Sequence, residues 1–215
     1  MEELIQFDKQ LLLMVNGSDS TFLDSIIMTL TTATTWIPLY VALLYVVIMV
    51  NRNVRDVLLI IAAAGLCVAL AGAVDDEIVK PLVARWRPTH DPEIGHLVDV
   101  VDGYRGGNYG FFSAHAANTF SIAIFFSLLM RQRLFTIFMV CWSLTNCYTR
   151  LYLGVHYPGD ITVGLLWGGL VGWSVYRFFY CRFAIPANYP LRQCYVPMAV
   201  LLLTLCYAIV RASAS

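Results

Sequence analysis

Within the stretch TRLYLGVHYPGD, residues 149–160, an arginine, a histidine and an aspartate crowd together in an otherwise apolar chain. Pro158 keeps Tyr157 out of helical geometry, so His156 sits just outside a helix starting at Pro158-Gly159. Asp160, in the first turn of that helix, can reach back to the imidazole. A carboxylate bonded to one ring nitrogen fixes the tautomer and leaves the other nitrogen free to attack an electrophile. The plainer alternative is that Asp160 only complements the helix dipole while His156 fills an interface.

Two further clusters carry similar chemistry. In GFFSAHAANTF, residues 110–120, Ser113 and Ala114 stand at a helix start, where free backbone N–H groups and the dipole attract an anion. His115 shares that turn and Asn118 lies one turn on, although Ser113 could equally be an ordinary N-cap and His115 an interfacial residue. In KPLVARWRP, residues 80–88, Pro81 is expected to open a short helix. Lys80 and Arg87 would then lie on nearly one face about 10 Å apart, close enough to flank one anion. The alternative is that both snorkel as membrane anchors.

The elements that must position these groups are membrane helices. Of 215 residues, 59% are hydrophobic and 13% charged, whereas a soluble domain carries about a quarter charged residues. Net charge is zero, so no basic field points to nucleic acid. The six cysteines lie in or beside apolar runs without metal or disulfide spacing, which makes them packing residues. The fold class expected is an all-α, polytopic membrane bundle in one domain, residues 1–215. An N-terminal amphipathic interfacial helix occupies 1–17, with Leu4, Phe7, Leu11 and Met14 on its apolar face and Asn16-Gly17 ending it. No cleavable signal is expected. Six transmembrane helices follow at about 22–50 (bent at Pro38), 56–76, 113–130, 134–150, 158–180 and 193–211. Arg52 and Arg55, Arg131 and Arg133, and Arg177, Arg182 and Arg192 fall in alternate connections, which makes that side cytoplasmic. Both termini, the 77–112 active-site loop and the Arg150–Asp160 turn are then expected outside.

All three clusters thus converge at the outward ends of different spans. Ionisable residues at membrane depth are functional candidates by default. Guanidinium forks, a lysine point charge and free N–H groups suit an oxyanion with several oxygens, and phosphate fits best. In this arrangement Arg150 holds the anion, His156 attacks it and Asp160 aims His156.

The sequence closely resembles the type 2 phosphatidic acid phosphatase superfamily, which includes vanadium haloperoxidases. The family signature, Lys-x6-Arg-Pro, Pro-Ser-Gly-His and Ser-Arg-x5-His-x3-Asp, is met here by Lys80-x6-Arg87-Pro88, Phe112-Ser113-Ala114-His115 and Thr149-Arg150-x5-His156-x3-Asp160. Phe112, Ala114 and Thr149 depart from the pattern, but Ala114 keeps a backbone N–H and Thr149 a hydroxyl. The FSAH variant followed by AANTF is similar to members from Bacteroides-type Gram-negative bacteria. The resemblance implies that His156 forms a phosphohistidine, oriented by Asp160. His115 would protonate the leaving oxygen and then activate water. Lys80, Arg87, Ser113, Ala114 and Arg150 would hold the phosphoryl oxygens. It implies no metal and no cofactor.

The implied activity is a metal-independent lipid phosphatase of the bacterial inner membrane with a periplasmic site. Candidate substrates are undecaprenyl pyrophosphate, phosphatidylglycerol phosphate, phosphatidic acid and lipid A phosphate. A phosphotransferase of the same family shares the first half-reaction, and an anion transporter is a further alternative disfavoured by the outward bias. The sequence does not fix the oligomeric state. In the DGYRGGNYG loop, residues 102–110, Tyr104, Arg105 and Tyr109 are either headgroup readers or interfacial anchors. His90, Asp91, Glu93 and His96 have irregular spacing and read as solvated polar residues, and Asn118 has no assigned role.

Overall fold

The computed structural model describes residues 2–214, apart from the Asp76 side chain. Met1 and Ser215, both expected on the outer side, lie outside the described residues. Every described element is helical, and the only strand-like pairing among them is an isolated bridge between Trp86 and Tyr109.

Helix α1 spans Glu2–Val15 and ends before Gly17, whose positive φ of 65° suits glycine. Leu4, Phe7 and Met14 remain exposed on it, while Leu12 and Lys9 are buried against the rest of the chain. The first expected span is broken. Helix α2, Thr21–Thr31, ends at an extended Thr32, a 3-10 turn follows at Ala33–Trp36, and α3 continues over Ile37–Val50. The bend falls at Thr32 and not at Pro38, because proline in the first turn of α3 lacks only an N–H that the helix has no use for.

The second span is longer than expected. Helix α4, Val54–Ala73, passes through a π-helical stretch at Val74–Val79 directly into α5, Lys80–Val83. Pro81 therefore does not open a separate helix. The run stops at Ala84, in the left-handed region at φ 47°, so the long connection to α6 begins there and not at 77. Helices α6 (Ala114–Met130), α7 (Arg133–Tyr152) and α8 (Pro158–Ser174) follow. A second π-helical stretch, Val175–Tyr180, leads into α9, Cys181–Phe183, and α10 covers Leu191–Ser213. Among the described residues, Ala33–Val50, Val54–Val83 and Leu191–Ser213 are long and apolar enough to cross a membrane by length and composition.

Helix α8 lies directly on α6. A Cβ on Gly164, Gly168 or Gly172 would come within 2.7, 2.4 and 2.4 Å of the carbonyl oxygens of Ser113, Ala117 and Ser121. Small residues every fourth position let two backbones meet where lipid supplies no hydrophobic drive between helices. This contact brings the start of α6 against the start of α8, and the three clusters meet there. Around it pack Trp36, Phe125, Phe126, Phe135, Trp142 and Tyr180 as a buried core.

Candidate active site

Ser113 caps α6. It is fully buried, its hydroxyl accepts the Ala116 N–H at 3.5 Å, and its own N–H donates to the Asp160 carbonyl at 3.1 Å. Ala114 and His115 thus occupy the first turn of a helix whose N-terminal end faces the start of α8. The turn bearing His156 is tied down just as tightly. The Val155 N–H donates to Arg150 O at 3.1 Å, and the Thr89 N–H to Gly154 O at 3.2 Å. Gly154, at φ 63°, leaves no room for a side chain because a Cβ would lie 2.3 Å from Val98 Cγ1.

His156 is buried, with Nδ1 3.6 Å from Asp160 Oδ2. That distance is beyond a hydrogen bond, so the expected direct bond between Asp160 and the ring is not made here. Asp160 Oδ2 accepts the Tyr157 N–H at 2.9 Å, and Oδ1 accepts from Arg85 Nη1 at 2.7 Å. Burial, followed by the charges of Arg87, Arg150 and Lys80, holds the His156 pKa well below 6.5. The ring is therefore neutral at neutral pH, as a nucleophile requires.

Arg87 is not on a helix face with Lys80. The left-handed Ala84 ends the helix first, and Arg87 lies beyond in extended chain. Its N–H donates to Asn108 O at 2.9 Å, and its Nε donates to Tyr109 O at 3.0 Å. The 102–110 loop wraps this side chain: a Cβ on Gly106 or Gly110 would sit 2.8 Å from Arg87 Nη1 or 2.9 Å from its Cγ. Burial and then the positive charge of Arg150 lower the Arg87 pKa.

Arg150 is 2% exposed. Its Nη1 donates to Thr31 Oγ1 at 2.6 Å, both terminal nitrogens donate to the Tyr104 hydroxyl at 3.1 Å, and Nε is left without a partner. Among the described residues neither Arg87 nor Arg150 forms an ion pair, whereas Lys80 pairs with the buried Asp75 at 2.7 Å. His115 and Asn118 line a cavity of about 230 Å³ shared with Trp36, Tyr40, Val68 and Asn146.

Several groups take roles that the sequence did not signal. Tyr104 braces Arg150 from within the protein. Arg105 Nη1 donates to Thr89 O at 2.8 Å and so straps the loop. Asp91 and Glu93 accept from Lys9 of α1, and His90 Nδ1 lies 3.2 Å from Thr89 Oγ1. No group of three or more His, Cys, Asp or Glu side chains able to hold a metal occurs among the described residues. Arg85 was missed altogether, although it sits two residues before Arg87 in the same basic cluster.

Residues 53–184, a stretch enclosing all eight sequence-expected site residues from Lys80 to Asp160, match the PAP2 superfamily. A lipid A 4'-phosphatase of Bacteroides thetaiotaomicron is 43% identical over 178 residues, 82% of this chain and 78% of that protein. The chain belongs to the PAP2 superfamily. A lipid A 4'-phosphatase of Porphyromonas gingivalis is 34% identical to this PAP2 chain over 185 residues, 85% of the chain and 77% of that protein. The decaprenylphosphoryl-5-phosphoribose phosphatase of Mycobacterium tuberculosis is 38% identical over 113 residues, 53% of the chain and 56% of that protein. No solved structure matches. The PAP2 chain is a phosphoric ester hydrolase of the membrane lipid phosphatase kind.

Proposed function

We propose that this PAP2 chain removes a phosphate from a lipid A-type headgroup at the periplasmic face of a bacterial inner membrane, through a phosphohistidine. The observation that carries this is Arg150, a buried guanidinium beside Arg87 with no carboxylate partner among the described residues. A buried, unpaired charge costs several kcal/mol, roughly, and a phosphate entering between the two arginines would offset that cost. The lipid A class is supported by the two relatives that match most of the chain. A path for an acyl chain is supported by the His115 cavity, which shares Tyr40 and Ile122 with an apolar cavity of about 210 Å³ lined by Leu43, Val47, Ile60 and Phe126.

In this reading neutral His156 attacks phosphorus, forming an N–P bond as the P–O bond to the lipid breaks. His115 gives the leaving oxygen its proton, then takes one from the water that cleaves the N–P bond. Arg87, Arg150, Lys80, Ser113 and the Ala114 N–H stabilise charge on the phosphoryl oxygens, so no metal is needed. The reading has six crossings with the site at the outer face, supported by the arginines of alternate connections, which favour the cytoplasmic side.

The test is phosphate release by the purified protein from lipid A, undecaprenyl pyrophosphate, phosphatidylglycerol phosphate and phosphatidic acid. Lipid A is expected to give the highest kcat/KM, with activity surviving EDTA, inhibited by vanadate and absent in His156→Ala. Release from another of these lipids alone would replace the substrate. Turnover by His156→Ala would remove the mechanism.

A further inference from the structure

Asp8 lies on α1, the helix that the sequence assigns to the membrane surface alone. Its carboxylate is shared between two parts of the site: Oδ1 accepts the Gly159 N–H at 2.8 Å and Oδ2 accepts from Arg85 Nη2 at 2.7 Å. The other terminal nitrogen of Arg85 donates to Asp160 Oδ1 at 2.7 Å, and its guanidinium carbon lies 4.1 Å from the centre of the Tyr157 ring. One guanidinium is thus fixed by an acid from α1, by the acid beside His156 and by the ring between them. A side chain at Gly159 would displace the Asp8 carboxylate, since its Cβ would fall 2.8 Å from Asp8 Oδ2.

We propose that Asp8 and Arg85 are positioning residues for the hydrolysis, holding the Asp160 carboxylate beside His156 and so setting the ring for attack. This rests on the phosphohistidine reading given above. Oδ2 of Asp160 stands 3.6 Å from His156 Nδ1 and is the acceptor at hand when the ring gains positive charge. Oδ1 is occupied by Arg85, so the carboxylate can neither rotate away nor lose its counter-charge while Arg85 stays in place. Asp8 keeps Arg85 there and anchors the first turn of α8 through Gly159. A second tie from α1 reinforces the first. Lys9 lies 2.9 Å from Asp91 and 2.8 Å from Glu93, and Asp91 Oδ2 accepts the Tyr157 hydroxyl at 2.7 Å. Helix α1 therefore grips residue 159 directly, residue 157 through Asp91 and residue 160 through Arg85. Its polar face serves the chemistry while its apolar face is exposed.

The experiment measures kcat and KM of the full-length protein on a soluble aryl phosphate for Asp8→Asn, Arg85→Gln, Arg85→Lys, the Asp8→Asn/Arg85→Gln pair and His156→Ala. Thermal midpoints in detergent are recorded alongside. Asp8→Asn and Arg85→Gln should each lower kcat about 10- to 100-fold, the range seen when outer partners of a functional group are lost, with KM nearly unchanged. The pair should cost little more than Arg85→Gln alone, because the two act in series. If Arg85→Gln fails to fold, Arg85→Lys carries the test, keeping the charge but not the two-pronged contact. Wild-type kcat in Asp8→Asn or Arg85→Lys, an effect confined to KM, or fully additive losses would overturn the inference. An inactive His156→Ala beside a fully active Asp8→Asn would overturn this inference alone. An active His156→Ala would overturn both it and the phosphohistidine reading.

Discussion

The Tyr104 hydroxyl stands 3.1 Å from both terminal nitrogens of Arg150, with the guanidinium carbon 5.3 Å from the ring centre. A loop residue thereby orients a cation that belongs to α7. Removing the hydroxyl leaves the guanidinium charged and held at one terminal nitrogen by Thr31. Tyr104→Phe is expected to raise KM about 10- to 150-fold, since a hydrogen bond to a charged group contributes about 1.5–3 kcal/mol. Arg150→Ala should abolish measurable turnover. Steady-state kinetics on the lipid substrate compare the two, and a Tyr104→Phe enzyme with unchanged KM would count against the brace.

The pH dependence follows from the lowered pKa of His156. The folded value lies below the unfolded one, so between them the unfolded chain binds the extra proton. The stability contributed by neutral His156 is complete above about pH 6.5 and declines as pH falls toward the folded value. For the same reason the acid limb of kcat/KM attributable to His156 should lie below pH 6.5. An acid limb for phosphoenzyme formation in single-turnover measurements with its midpoint at or above pH 6.5 would contradict the lowered value.

Gly168→Ala should destabilise the fold by about 1–3 kcal/mol, the usual range for overpacking, because its Cβ would lie 2.4 Å from the Ala117 carbonyl oxygen. Gly65→Ala, with nothing within 4 Å of the new Cβ, should be neutral or slightly stabilising. Thermal unfolding in detergent distinguishes them. Equal midpoints would mean that α6 and α8 can part at little cost.

His115→Ala should be far milder on an aryl phosphate than on a lipid phosphate, because a good leaving group departs without a proton. Once the first step no longer limits, labelled phosphoenzyme should accumulate in this variant, and none should form in His156→Ala. Acid-quench trapping with labelled substrate checks both. Equal losses of His115→Ala activity on the two substrates would argue against its role as acid.

Much of the helical frame is legible in the sequence, since long apolar runs and arginine-bearing gaps mark α3, α4, α6, α7, α8 and α10. Their ends are less so. Pro81 reads as a helix opener, yet it sits inside a helical run because the π-helical stretch before it absorbs the register change. The position of His156 between Arg150 and Asp160 is legible from Pro158 and Gly154, which act locally. The partners of Asp160 are not. Arg85 reaches it across 75 residues and Asp8 joins from a helix at the far end of the chain, where amphipathic spacing carries no trace of the one acid turned inward. Local stereochemistry shows in a sequence, while ion pairs between distant elements emerge only when the chain is folded.

The glycine stripe of α8 has one more consequence. With the Ser113 carbonyl against Gly164 and the Ser113 N–H on the Asp160 carbonyl, the first turns of α6 and α8 behave as a single casting. Rotating α8 about its axis would replace these glycines with side chains at 2.4–2.7 Å from carbonyl oxygens, so the two helices hold one facing. Whatever must vary to suit a broader or narrower lipid is left to the opposite wall, where Trp36, Tyr40 and Val68 face His115 across open space. On the proposed reading, substitutions there are expected to change lipid preference while leaving turnover of an aryl phosphate near the wild-type level.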